Sequence, residues 1–207
     1  MGKRETKNLI LTPIHWDHEA QMVGLYDERS VQERICANMP VTKWEVRSLI
    51  VESKRLWEVE KCGYCSIYEK AGRAPVFVGI CGVRVDEKPD QLELRCVLHQ
   101  RNTGRGLGLE AARVVVFEAF RRVERDRLVA FVPHRNERAT RAALAFGMRY
   151  VDERLRNGMR ARYFEMSRKE IAAAAAMALE DECRAKSILG WRGTEFNAGY
   201  GRNSSVE

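Results

Sequence analysis

The sequence predicts a mixed α/β (α+β) fold: a central, mostly antiparallel sheet of about seven strands flanked by about four helices, with a further helix and a tail at the C-terminus. Three observations lead there. Three strand-like runs, at 64–69, 75–86 and 91–99, precede the later helices, and the second is rich in β-branched residues. A helix, a strand, a helix and two strands follow, so helices alternate with strands only in the second half. Between the halves lies Gln100-Arg-Asn-Thr-Gly-Arg-Gly-Leu-Gly-Leu-Glu-Ala-Ala112, three glycines in five residues opening directly into an apolar helical stripe.

Each element has its own signal. Leu9-Ile-Leu-Thr-Pro13 reads as a short strand stopped by proline. Residues 16–35 are polar-rich with apolar Met22, Val23, Leu25, Tyr26 and Ile35, and read as one or two helices. Thr42 followed three residues later by Glu45 is a capping box, opening a helix to about Glu60 that is expected to bury Trp44, Leu49, Ile50, Leu56 and Trp57. Lys88-Pro89-Asp90 reads as the turn of an antiparallel hairpin between 75–86 and 91–99. Ala112, Val115, Val116, Ala119, Phe120 and Val123 recur at helical spacing over a helix from about Gly106 to Arg125. Arg127–Val132 is a strand ended by Pro133. Asn136 is an N-cap and Gly147 a C′ residue for the helix between them, and strands follow near Met148–Asp152 and Arg160–Ser167. The domain is expected over 8–168, and 169–207 as an alanine-rich helix and a flexible Gly/Asn/Ser-rich tail in which Trp191, Phe196 and Tyr200 are candidates to dock.

Composition narrows the function classes. The chain has 207 residues, is 45% apolar and carries a formal net charge of +7, which favours an anionic ligand. No apolar run approaches the length of a membrane span. The charged N-terminal stretch does not read as a signal peptide, and Lys7 occupies the position where a myristoylation motif needs Ser or Thr. Six scattered cysteines read as reduced thiols, so a cytoplasmic location is expected. Cys62-Gly-Tyr-Cys65 lacks the second pair a structural zinc site needs, and on a strand that spacing puts the two thiols on opposite faces, so no metal is expected. His15 and His18 read as turn or capping residues. Arginines 113, 121, 122, 125 and 127 alternate with acidic residues as a solvated helix face, and the basic positions are not interleaved with exposed aromatics, so nucleic acid is not the expected partner.

The glycine loop admits three readings. A P-loop needs Lys-Ser or Lys-Thr after the last glycine, and Leu109-Glu110 stands there. Gly106-x-Gly108-x-x-Ala111 fits a dinucleotide fingerprint literally. However, the preceding strand alternates apolar and polar residues, where a central parallel strand reads as continuously apolar. The third reading is a pyrophosphate cradle. Backbone N–H groups from Thr103 to Gly108 would converge ahead of a helix N-terminus, Gly104, Gly106 and Gly108 would allow close approach, and Arg101 and Arg105 would add charge.

With Arg101-x-x-Gly104-x-Gly106 as its signature, the sequence resembles the GCN5-related N-acetyltransferase (GNAT) superfamily over roughly residues 8–168, and within it the ribosomal-protein N-terminal acetyltransferases. Glu93 stands eleven residues before Gly104, Glu110-Ala111 follows the glycines, and Asn136 and Gly147 keep the family's eleven-residue spacing. The resemblance implies acetyl-CoA as cosubstrate and an amine acceptor, a protein N-terminus or a small molecule, in a monomer or homodimer. It implies that Val97, Leu98, Arg101, Thr103, Gly104, Arg105, Gly106, Leu107, Gly108 and Asn136 hold the cofactor, with an N–H near Val97 or Leu98 polarising the thioester carbonyl. It makes Glu93 the general base, acting through a water. Many relatives place a serine where Ala139 stands, so the acid is open, with Thr140 the neighbouring hydroxyl. Arg95 stands where the family prefers glycine, Thr103 where an aromatic is common and Met148 where phenylalanine is usual. Arg95 would fill the acceptor site or select an acidic acceptor. A non-catalytic module of the same fold is the alternative.

Overall fold

The computed structural model describes residues 2–35, 39–86, 88, 90–156 and 158–188. The chain divides into two units, 1–175 and 176–207. The first holds an eight-stranded sheet. β1 (Arg4–Glu5) is a two-residue edge strand that the sequence does not announce, and β2 is Leu9–Pro13. Three helices follow: α1 (Glu19–Asp27), α2 (Arg29–Ile35) and α3 (Lys43–Val59). β3 (Tyr64–Glu69), β4 (Val76–Val85) and β5 (Gln91–Leu98) form an antiparallel meander. The second half runs α4 (Leu107–Arg122), β6 (Arg127–Pro133), α5 (Glu137–Phe146), β7 (Arg149–Arg156) and β8 (Met159–Ser167). α6 (Arg168–Ile188) passes from the first unit into the second. The tail from 189, with Trp191, Phe196 and Tyr200, lies outside the described residues, as do Cys36 and Pro89.

The strand order is β1-β2-β3-β4-β5-β6-β8-β7, and β5–β6 is the one parallel pair in it. The connection from β5 to β6 runs through α4, as a parallel pair requires. Each face of the sheet carries its own apolar layer. α4 packs on one through Leu107, Ala111, Ala112, Val115, Val116, Ala119 and Phe120, against Leu92 of β5 and Leu128 of β6. The other lies under α1–α3, where Met22, Leu25, Val46, Ile50 and Leu56 meet Tyr64, Ile80 and Val97. Strand alternation therefore divides β5 as expected, with Leu92 on the α4 side and Val97 on the other.

The caps follow the sequence. Thr42 and Glu45 form the capping box of α3, Asn136 Oδ1 accepts from Ala139 N at 3.1 Å, and Gly147 ends α5 in the left-handed region at φ 101°. His15 and His18 form a capping box on the short turn before α1. Two expectations fail. Trp44 is 74% exposed, because it lies in the first turn of α3, away from the face that Val46, Ile50 and Leu56 bury. Cys62 and Cys65 lie in the same core, since Cys62 precedes β3 and strand alternation does not govern it. Among the described residues no group of three His, Cys, Asp or Glu could hold a metal ion, and no helix is long and apolar enough to cross a membrane.

Gly82 sets the approach of β3 to β4. A Cβ built there would lie 2.4 Å from Tyr64 Cα and 2.6 Å from Tyr64 Cδ1. Backbone cannot yield as a flexible side chain does, so Gly82→Ala is expected to destabilise the protein by about 1–3 kcal/mol, the usual range for overpacking, in a denaturant titration.

Candidate active site

β5 and β6 pair over only three residues, from Gln91↔Arg127 to Glu93↔Val129. Beyond Glu93 the strands part: β5 stays with β4, and β6 pairs along its length with β8. The parting leaves backbone groups of β5 without a strand partner on that side. Alternation says which. His99 N donates to Val78 O, and the Val97 carbonyl points at Gly79, where an added Cβ would meet it at 2.1 Å. His99, Val97 and Arg95 thus turn their backbone groups to β4, and Cys96 and Leu98 turn theirs into the opening. Of the two candidate amides, that of Leu98 faces the opening, with Cys96 beside it, while Val97 turns its amide to β4 and buries its side chain.

The opening leads into the glycine loop. Gly104 and Gly106 have φ 77° and 79°, which disfavours any side chain there. A Cβ at either would meet nothing within 4 Å, so the space beside them is clear. Gly106 is the N-cap of α4 and offers no side-chain acceptor, so the first amides of the helix have no cap. Leu107 is buried and presents only backbone to the loop, while Gly108 lies against Leu98 and Cys96. The two loop arginines differ. Arg105 is held in a two-bonded pair with Glu69 at 2.9 and 2.5 Å, whereas Arg101 is exposed and makes no hydrogen bond or ion pair with a described residue. Thr103 Oγ1 accepts from Arg138 Nη1 at 2.5 Å.

Two contacts that sequence reasoning missed brace this region. The Glu28 carboxylate, between α1 and α2, accepts from Gln100 N at 2.9 Å and meets His99 Nδ1 at 2.6 Å, pinning the helices to the end of β5. Glu110, in the first turn of α4, accepts from Thr6 Oγ1 at 2.5 Å, Asn8 N at 3.0 Å and Asn8 Nδ2 at 2.9 Å, fixing the helix start to β2. A cavity of about 750 Å³ lies between α2 and the turn after β6, lined by Arg29, Gln32, Glu33, Arg34 and Arg135.

Glu93, at the fork itself, is 3% exposed. Three guanidinia hold it. Arg84, directly opposite on β4, donates Nε at 3.1 Å and Nη2 at 2.8 Å; Arg95 donates Nε at 3.0 Å; Arg156 donates Nη2 at 2.7 Å and also pairs with Asp86. Burial alone would raise the Glu93 carboxyl, but Arg95, Arg84 and Arg156 together outweigh it and hold it below the usual carboxylate range. The pairing with Arg95 is legible from spacing along one strand. Arg84 and Arg156 come from elsewhere in the chain, 63 residues away in the case of Arg156, and spacing gives no sign of them. Thr140 Oγ1 accepts from Arg162 Nη1 of β8 at 2.8 Å. Asn136 spends its Oδ1 on the α5 cap.

A family model for the acetyltransferase (GNAT) domain matches residues 8–149. The chain belongs to the GNAT acetyltransferase family. Its fold is similar to that of a GNAT-family acetyltransferase from Bordetella pertussis, at 19% identity and TM-score 0.66, covering 80% of this chain and 99% of that one. RimL, a ribosomal L7/L12 α-N-protein acetyltransferase in complex with coenzyme A, shares 12% identity at TM-score 0.65, over 78% of this chain and 95% of its own. The aminoglycoside acetyltransferase AAC(6′)-Ib, also with coenzyme A, gives 15% and 0.65, over 80% and 98%. No curated protein matches the chain.

Removing one partner of a buried ion pair costs about 3–5 kcal/mol. Glu93→Gln is therefore expected to lower stability by about 3 kcal/mol at pH 7, because Gln leaves three guanidinia short of a negative charge. Since the folded state depresses the carboxyl's pKa, its contribution is present above the unfolded value and is lost as pH falls through the folded one. The gap between native protein and variant should close in acid, which denaturant midpoints measured against pH would show.

Proposed function

We propose that this member of the family is an acetyl-CoA-dependent N-acetyltransferase acting on a primary amine. One observation carries the reading: the unpaired amides of β5 run straight into a positive-φ glycine loop at the uncapped N-terminus of α4. Converging N–H groups with open space beside them suit a pyrophosphate, and Arg101 is free to add a contact. Acetyl-CoA supplies the thioester, whose acyl carbon bonds to the amine nitrogen as the carbon–sulfur bond breaks and coenzyme A departs as the thiol.

The residues divide the remaining work. Gly104, Gly106 and Gly108 keep the loop's backbone accessible, with Thr103, Arg105 and Leu107 holding its shape. The Leu98 amide donates to the carbonyl oxygen as negative charge develops there. Glu93 is fixed by Arg84, Arg95 and Arg156 and has low proton affinity, while an efficient base titrates near the working pH. We therefore assign Glu93 the part of orienting Arg95, and the amine sheds its proton to solvent before attack. A thiolate is a fair leaving group, so the absence of a hydroxyl at Ala139 and the engagement of Thr140 with Arg162 do not block the reaction.

Titration calorimetry with acetyl-CoA, coenzyme A and NAD, run beside Gly106→Glu, tests the cradle. Acetyl-CoA should bind, the variant should lose it by at least about tenfold because it sets a carboxylate where phosphate sits, and amines should then release thiol. Binding without thiol release for any amine would mark a non-catalytic module instead. A pH–rate profile tests Glu93: the ascending limb of kcat/KM should move with the acceptor amine's own pKa. A limb that stays in place when the amine is changed and disappears in Glu93→Gln would make Glu93 the base.

A further inference from the structure

We infer that Arg95, with Tyr64 beside it, binds a carboxylate carried by the acceptor molecule. This rests on the reading of the β5–β6 opening as an acetyl-transfer site, and it names the chemical class of amine that the site prefers.

Arg95 follows the last β5–β6 pair by two residues, on the face turned away from α4. Its guanidinium gives only Nε to Glu93, at 3.0 Å. The two Nη groups make no hydrogen bond to a described residue, and the side chain is 41% exposed. Glu93 thus grips one edge of the fork and leaves the edge suited to a two-point contact with a carboxylate facing outward. A surface arginine would lose much side-chain entropy in holding a ligand this way. Arg95 has already been oriented by a buried partner.

The neighbouring strands add a second donor. Tyr64, Gly82 and Arg95 stand directly opposite one another on β3, β4 and β5, so they form one cross-strand row on one face. Gly82 contributes no side chain, and the Tyr64 ring lies against it in the space between Tyr64 and Arg95. The Tyr64 hydroxyl is buried and has no hydrogen-bond partner among the described residues, which ordinarily costs a protein stability. After burial, the largest influence on that phenol is the Arg95 charge. Ser53 Oγ and Trp57 Nε1 both bond to the Tyr64 backbone carbonyl, so the ring sits on a fixed base.

The carboxylate has two possible sources, the α-carboxylate of an amino acid or an acidic side chain next to a peptide N-terminus. Product analogues distinguish them and need no turnover. N-acetylglycine against N-acetylglycinamide reads the first, and N-acetyl-Asp-Ala-Ala-amide against its Asn isostere reads the second. In each the native protein would be titrated beside Arg95→Gln and Tyr64→Phe. One pair should show at least about tenfold tighter binding of the acid, as expected for a hydrogen-bonded charge. Arg95→Gln should reduce that ratio to about one, and Tyr64→Phe should leave a smaller preference. Arg95→Lys keeps a cation for Glu93 but not the fork, and should retain a ratio of a few-fold while showing native stability. Equal binding of acid and amide in both pairs by the native protein, or a preference that survives Arg95→Gln, would overturn the assignment. Failure of the acetyltransferase reading would appear separately, as loss of acetyl-CoA binding or of thiol release.

Discussion

The parting of β5 from β6 is the constraint on which the rest of this molecule depends. A sheet normally satisfies the backbone groups on both edges of an interior strand. Here β6 pairs with β8 from Arg127 to Pro133, while its other edge meets β5 only as far as Val129. The amides of Cys96 and Leu98 lie in a gap flanked by packed structure, where a ligand can satisfy them. Other features of the region hold the gap open. α4 packs under both strands near their closed end, through Leu92 and Leu128. Glu28 ties α1 and α2 to His99 and Gln100 at the open end.

The same geometry explains why a carboxylate sits at the fork. Where two strands separate, side chains from the strands flanking the fork can converge on one face, and Glu93 is the residue at that point. Arg84 arrives from the antiparallel neighbour, Arg95 from the same strand, and Arg156 reaches in over the Phe131 ring, 4.6 Å from its centroid. An unpaired buried carboxylate would be far too costly to keep, and three cations with no anion equally so. The cluster is therefore stable only as a whole, and its members cannot be assigned roles one at a time. It also separates two properties that a lone strand glutamate would combine. A place at the strand fork suits a base, but charge neutralisation lowers the proton affinity that a base needs.

Much of this was legible in the sequence because it is local. Capping by Thr42 and Glu45, Asn136 and Gly147 depends on residues three to five apart, and each appears where the spacing put it. The meander and its strand bounds come from composition and period, and the glycine loop from conformational freedom at two positions. What was not legible is non-local. Trp44 is exposed, and an apolar residue in the first helical turn shows nothing of which face the sheet will cover. Strand alternation does not reach Cys62, because the strand begins two residues later. The partners of Arg105 and Thr140 lie 36 and 22 residues away, and only the fold brings them together. Glu93 fell between these cases: its position was fixed by spacing, and its chemistry was decided by two arginines that spacing could not reveal.

The net charge of +7 gains meaning from where it is left unopposed. Most arginines near the sheet are matched by carboxylates: Arg4 and Arg122 by Glu118, Arg127 and Arg149 by Glu165, Arg125 by Glu60, Arg105 by Glu69. Exposed pairs of this kind contribute little stability, and their main effect is to remove positive charge from the surface facing a ligand. Unmatched donors remain along the opening between β5 and β6: Arg101 beside the loop, and the Nη groups of Arg95 past the fork. Two anions could therefore be held at once, a phosphate group at the loop and a carboxylate at the fork, with the Leu98 amide on the strand between them. An acetyl donor fixed by its phosphates and an acceptor fixed by its carboxylate would meet at that amide. Orienting both reactants by charge at a distance from the reacting atoms is a source of rate that requires no strong base at the site.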